Sequence, residues 1–181
     1  MRLPTPSPST LGALLVPGLL LSACSGEVSV GGGEPAAITP DALEAELTSN
    51  MSGEDVDQFD VACEGGLDPE VDATQDCLIT FTGDGSVTGV RLVVTDVQGE
   101  EVEFDQVLFV PAEEVADGVD RFYTDQGFTL DEVTCDGELI GEEGETTTCD
   151  ITSEAEGDVQ VEATTTSVEG LVVNFDLTVV S

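Results

Sequence analysis

The chain has 181 residues, with 39 acidic side chains against 3 basic ones, no histidine and a net charge of −36. So acidic a surface repels nucleic-acid phosphates and excludes nucleic acid as a direct partner, and the lack of histidine removes the usual general base near neutral pH and the commonest metal ligand. Hydrophobic residues make up 40% of the chain, too many for a disordered acidic tail, so folded domains are expected.

The N-terminus carries a targeting pattern. Arg2 is followed by an apolar run at residues 11–21 (LGALLVPGLLL), interrupted by Pro17. A membrane span needs about 20 apolar residues, so this run suits the apolar region of a secretion signal instead. It ends in Leu21-Ser22-Ala23-Cys24, which resembles the bacterial lipobox, where small residues precede a cysteine that is acylated and becomes the mature N-terminus. Residues 1–23 are therefore expected to be a lipoprotein signal peptide and Cys24 the lipidation site, which places the protein on the extracytoplasmic face of the cell membrane. Two or more acyl chains would hold it there stably where one would not. Removing residues 1–23 takes away Arg2 and no acid, so the mature form is one charge more negative. Residues 24–37, with Gly31, Gly32 and Gly33, read as the acylated cysteine and a flexible tether spanning roughly 20 Å.

The remainder is a duplication. A shift of 72 residues superposes Cys63 on Cys135, Cys77 on Cys149, Val61 on Val133, Leu67 on Leu139, Ile79 on Ile151, Gly85 on Gly157 and Val87 on Val159. After a one-residue deletion, Val97, Gly99, Val102 and Phe104 fall on Val168, Gly170, Val173 and Phe175. Repeat 1 is placed at 38–109 and repeat 2 at 110–181. In repeat 1 Thr39 can cap a helix with Pro40 at its first position, and Leu43, Leu47 and Met51 recur along one face. In repeat 2 Pro111 leads into Val115, Val119, Phe122 and Tyr123, and acids crowd the first turn of both helices, where the dipole favours them. Strand patterns follow: residues 77–81, a Gly83-Asp84-Gly85 turn, 87–97, a Gln98-Gly99 turn, then 102–110. In repeat 2, Leu171, Val173, Phe175, Leu177 and Val179 alternate with mostly polar residues, the pattern of a sheet with one buried face. The expected fold class is α+β: two small repeated units, each one helix packed on a meandering antiparallel sheet of three to four strands, with one internal disulfide.

Units of this size have marginal cores. The four repeat cysteines allow three pairings, of which the duplication favours Cys63–Cys77 and Cys135–Cys149. Export makes their oxidation expected, and each closed loop would add roughly 3 kcal/mol in the chain-entropy model. Cysteine pairs fourteen residues apart, with neither CxxC nor histidine, fit zinc poorly.

Each copy resembles the DUF4333 domain, an uncharacterised module of actinobacterial lipoproteins. Its pattern is a short helix, V-x-C, a leucine, a Gly-Ala-Thr-x-x-Cys element and strands ending in V-x-G and V-x-F. Repeat 1 carries Val61-Ala62-Cys63, Leu67, Ala73-Thr74-Gln75-Asp76-Cys77 and Val102-Glu103-Phe104. Repeat 2 carries Val133-Thr134-Cys135, Leu139, Gly144-Glu145-Thr146-Thr147-Thr148-Cys149 and Val173-Asn174-Phe175. Asp72 stands where the pattern has its glycine, and Glu145 where it has alanine. The resemblance implies a membrane-tethered binding or structural module of uncharacterised role, and it brings no catalytic residues.

Neither an enzyme nor a cofactor is expected, because only unplaced carboxylates remain as bases. The alternative reading is a cell-envelope calcium or cation-binding protein. Glu132-x-Thr134-x-Asp136-Gly137-x5-Glu143 has the spacing of a degenerate EF-hand loop, with Asp136 and Glu143 as candidate ligands. Against it stand glutamate at the first position, Cys135 inside the loop and no flanking helix pair, so no metal site is assigned. Candidate partners are the membrane through Cys24, an unidentified envelope protein and diffusely bound cations. Residues 107–110 (VLFV), at the join of the copies, could recruit a partner by strand addition, but are expected to be buried as the last strand of repeat 1 or between the repeats. The charge itself reads as adaptation to high salt, where screening relieves self-repulsion. The thermal unfolding midpoint should therefore rise with added sodium chloride, and a midpoint that stays flat or falls would refute that reading.

Overall fold

A computed structural model describes residues 25–29, 36–51, 58–154 and 157–180. Residues 1–24 and residues 30–35 of the tether lie outside them. The chain is mostly antiparallel sheet with two helices and two repeated units. The strands are β1 (Ser25–Ser29), β2 (Phe59–Cys63), β3 (Thr74–Phe81), β4 (Val87–Gln98), β5 (Glu101–Val110), β6 (Glu132–Cys135), β7 (Leu139–Ile140), β8 (Thr146–Thr152), β9 (Val159–Glu169) and β10 (Val172–Val180); the helices are α1 (Pro40–Asn50) and α2 (Ala112–Asp125).

Repeat 1 forms a sheet in the order β1-β5-β4-β3-β2, and repeat 2 one in the order β10-β9-β8-β6. Repeat 2 has the four strands expected. The first sheet exceeds the expected three to four, because two strands join it from outside. One is β7, which belongs to repeat 2 and pairs Ile140 with Phe109 and Leu139 with Val110. The other is β1, where the sequence reads as flexible tether: residues 25–29 pair with residues 101–105 of β5. A short segment without alternation gives no strand signal by itself, and only the open edge of β5 supplies its hydrogen-bond partners.

Helix α1 starts as its sequence dictates. Thr39 is the N-cap, its hydroxyl accepting from the Ala42 N–H at 3.4 Å, and Pro40 occupies the first turn. Leu43 and Leu47 are fully covered and pack with Ile79, Val90, Leu92, Val94, Val102 and Phe104 of the sheet. The Glu44 carboxylate accepts the Cys63 N–H at 3.0 Å and ties the helix to β2. Helix α2 has no side-chain cap at Pro111, but Glu113 and Glu114 stand in its first turn. It buries Val115 and Val119 against the smaller core of Leu139, Cys149, Ile151, Val161, Ala163 and Val173. Phe122, expected on that face, is 50% exposed, and Val179, expected on the buried face of its strand, is 59% exposed.

Both disulfides join residues directly opposite each other on neighbouring strands, Cys63–Cys77 across β2 and β3 and Cys135–Cys149 across β6 and β8. Cys77 and Cys149 are fully buried. Each staple therefore sits inside its core and fixes the register of a short edge strand, for which a slip of one residue would turn every side chain to the wrong face.

The duplication extends to irregular features. Gly85 and Gly157 both have positive φ in the turns that follow β3 and β8, and Gly99 and Gly170 do so in the next hairpin. Residue 95 is skipped in the β4–β5 pairing and residue 166 in the β9–β10 pairing, so both hairpins carry the same bulge. The register places the one-residue deletion more finely. Ile79 pairs with Thr88 and Ile151 with Val159, so Val159 corresponds to Thr88, not to Val87. The deletion lies just after the turn glycines, where one residue can be lost without disturbing a ladder. Within the first of these turns Ser86 donates its hydroxyl at 2.8 Å and its N–H at 3.1 Å to Asp84, and these bonds hold the exposed Asp84 carboxyl below its usual range.

The turn before each buried cysteine shows what the family-pattern departures mean. Asp72 has φ 69° and Gly144 φ 93°. The Asp72 N–H donates to the Val94 carbonyl and the Val94 N–H to Ala73, while Gly144 donates to Thr165 and Thr165 to Glu145, all at 2.9 Å. The turn is the same in both copies, with a carboxylate side chain in the left-handed region in one. Asp tolerates this conformation better than most residues, yet it remains strained. Left-handed strain of about 1–2 kcal/mol, less the extra entropy of an unfolded glycine, predicts that Asp72→Gly stabilises the protein by about 0.5 kcal/mol. Gly144→Ala should destabilise it by about 1 kcal/mol, and urea unfolding midpoints of the two variants should move in opposite directions.

Candidate functional site

The residues that gather most charge chemistry in one place lie at the junction of the repeats. Arg91, on β4, faces away from the core of repeat 1, since its neighbours Val90 and Leu92 are the buried ones. Opposite Gly89 on the same face lies Phe109, whose ring lies across that glycine and leaves no room for a side chain there. The Arg91 guanidinium sits 5.2 Å from the centre of the Phe109 ring, a cation–π distance. Its Nε and one terminal nitrogen donate to the two Asp76 oxygens at 2.8 and 2.7 Å, and its terminal nitrogens donate to Glu138 at 2.6 and 3.1 Å. Asp76 is on β3 of repeat 1, whereas Glu138 leads into β7 of repeat 2. One guanidinium thus holds two carboxylates by paired hydrogen bonds and bridges the repeats.

The bridge is half-exposed, with side chains 29%, 43% and 31% accessible for Arg91, Asp76 and Glu138. Hydrogen bonding to Asp76, and then to Glu138, raises the Arg91 pKa, so the group stays charged at any pH at which the protein folds. The trio has no counterpart elsewhere in the duplication. Glu162 stands where a second Arg91 would be, Thr148 matches Asp76, and Gly66 matches Glu138. At Gly66 a side chain would collide with the Ile38 carbonyl. Around the bridge, the Thr88 hydroxyl donates to the Leu171 carbonyl at 3.1 Å and the Gly141 N–H to the Leu108 carbonyl at 2.7 Å. Leu108 packs against both cores, and Leu171 packs against the core of repeat 1. Residues 107–110 are accordingly an internal strand, with Phe109 and Val110 buried between β4 and β7 and not offered as a free edge.

Other sequence candidates scatter. The four repeat cysteines come together as the two disulfides. Asp136 and Glu143 are both exposed, one just past β6 and the other in the turn closed by Gly144. Glu132, Thr134 and Cys135 of the EF-hand-like spacing are strand residues of β6 paired with β8, so that stretch is not a loop. Among the described residues no group of three or more Asp, Glu or Cys side chains is arranged to hold a metal ion. A shallow groove opens between α1 and β2, lined by Asp41, Glu44, Thr48, Phe59, Asp60 and Val61. At the end of α2, Tyr123 makes edge-to-face contacts with Phe122 at 5.3 Å and Phe128 at 5.9 Å, and both phenylalanines are exposed.

Sequence reading missed the Arg91 bridge. The available signal was the rarity of the residue: Arg91 and Arg121 are the only cations inside the repeats. A bridge this exposed contributes modestly, yet removing its cation leaves two carboxylates facing each other. Arg91→Met should cost about 1–2 kcal/mol and Glu138→Gln about 0.5–1 kcal/mol, read from urea unfolding. Arg91→Lys should recover only part of the loss, because an ammonium cannot serve two carboxylates with paired bonds.

The comparisons with known proteins agree with the repeat structure. No curated protein and no solved structure matches the chain. The model of the family described as Domain of unknown function (DUF4333) matches it twice, at residues 19–99 and 106–170. Those spans take in most of the chain and contain both disulfides, both helices and both strained turns, and the chain belongs to the DUF4333 family as a tandem pair of its domains.

Proposed function

We propose that this protein is a membrane-anchored extracytoplasmic lipoprotein, held by lipid on Cys24 and serving as a non-catalytic binding or structural module. The observation that carries the reading is the placement of Cys24: it follows Leu21-Ser22-Ala23 at the end of an apolar run and stands immediately before the first strand of the fold. The first family match begins at residue 19 and so takes in this cysteine. Two cross-strand disulfides in small cores suit an oxidising, exported setting. No described helix is long and apolar enough to cross a membrane, and a lipid anchor requires none. Each unit, in the finer reading, is an α+β module with one helix laid over one face of its sheet.

The second reading, an envelope protein that binds calcium or other cations, draws on the carboxylates of Asp41, Glu44 and Asp60 around the α1–β2 groove. The Glu44 carboxylate is already engaged with the Cys63 N–H, which favours diffuse over specific binding.

The protein isolated from its source should have an intact mass that begins at Cys24, carries acyl chains and lacks four hydrogens for its two disulfides. It should partition into detergent, and Cys24→Ser should move it to the aqueous phase. Detergent partition that is unchanged by Cys24→Ser would refute the anchor. Calorimetric titration with calcium, with magnesium as control, should give no saturable calcium-specific heat; a saturable one would favour the second reading.

A further inference from the structure

The two repeats end in equivalent hairpins, β4–β5 and β9–β10, whose outer edges differ. In repeat 1 residues 101–105 of β5 are paired with β1. Their equivalents, residues 172–176 of β10, have no strand paired with their outer side among the described residues, although β10 touches β5. The open edge is long and apolar: β10 is nine residues with Asp176 as its one charge, and Val172 is 52% exposed. An edge of this kind is a template for pairing with another chain. In a protein with 39 acids the low charge of this strand stands out against β5, which carries Glu101, Glu103 and Asp105 on the stretch that β1 covers.

We propose that the outer edge of β10 receives the Ser25–Ser29 strand of a second copy of this chain, antiparallel and in the register that β1 uses in repeat 1. The fold itself names the occupant, since the same edge of the other repeat is covered by this segment. Within the ladder, charge favours the second site. Within one chain the register sets Glu27 opposite Glu103, with Ser29 opposite Glu101 and Ser25 opposite Asp105, and acids at directly opposed strand positions destabilise pairing. In the equivalent register on β10, position 27 faces Asn174, 28 faces Val173 and 29 faces Val172, so the like-charge opposition disappears. Main-chain hydrogen bonds supply the attraction in both cases. Every copy carries one donor strand and one acceptor edge, which permits reciprocal exchange between two copies.

The test uses the full chain with Cys24→Ser, so that no lipid drives association. A Glu27→Cys chain is mixed with a mass-tagged Asn174→Cys chain under mild oxidation. The expected result is a mixed disulfide dimer in yield well above that of Glu27→Cys mixed with Thr178→Cys, which lies out of register. Equal yields, or no mixed dimer, would overturn the proposal. So would Asn174→Cys linking chiefly to itself, which would mean β10 pairing with β10. Light scattering over a concentration series gives a second readout without added cysteines. Mass should rise with concentration, and Asn174→Glu, which restores the acid found at Glu103, should weaken self-association by up to about fivefold. A monomer at every concentration, or association unchanged by Asn174→Glu, would refute it.

Discussion

The fold turns on two residues that belong to both halves. Phe109 and Val110 end the last strand of repeat 1, and they also pair with Ile140 and Leu139 of repeat 2. The Val110–Leu139 pair reproduces, 72 residues on, the bridge between Ile38 and Leu67 that opens repeat 1. Each unit needs a residue ahead of its helix to pair with the leucine after its first cysteine. In repeat 1 it is Ile38, just after the tether, and in repeat 2 it is Val110, the last residue of β5. The duplicated units therefore share main-chain hydrogen bonds and are not two beads on a linker. Leu108, one residue earlier, packs into both cores, which matters most to repeat 2, whose buried cluster among the described residues has nine members against thirteen.

The same junction is where the protein uses its scarce positive charge. A surface with 39 acids repels itself, and a cation placed on an outer loop would be screened and contribute little. Arg91 instead engages a carboxylate from each repeat while its planar face lies near Phe109. No acid among the described residues is buried. Against that background the apolar edge of β10 is the exception. Repeat 2 also differs inside: Thr165 and Ser153 are buried where repeat 1 has Val94 and Phe81, and their hydroxyls donate to the carbonyls of Ile140 and Thr129 at 2.7 and 2.9 Å. Divergence after duplication has thus exchanged apolar volume for side-chain hydrogen bonds in one copy.

Much of this was legible in the chain. Helix starts follow from Thr39-Pro40 and Pro111, and strand positions from apolar alternation and turn glycines. The disulfide pairing follows from equal spacing in two copies, because identical units that fold alike must pair their cysteines alike. Local periodicity marks a face but not its cover, so Phe122 and Val179 fit their patterns and are nevertheless exposed. Spacing likewise matched Asp136 and Glu143 to a loop motif, whereas pairing with β8 makes the first half of that stretch a strand. Pairing holds Glu132–Cys135 extended along β8, a shape that a chelating loop cannot take.

By itself the sequence determined the duplication, the charge, the staples and the element types, all of which depend on interactions within a unit or on composition. The tertiary structure alone decided which carboxylates Arg91 holds, that β7 crosses into the first sheet, and that β1 covers one hairpin edge and not the other. These are contacts between segments from 15 residues apart, as for Arg91 and Asp76, to 80, as for Ser25 and Asp105, and no local period encodes them. The net charge of −36 belongs to the first group; how so acidic a chain joins its repeats, through the shared β5–β7 pairing and one arginine, belongs to the second.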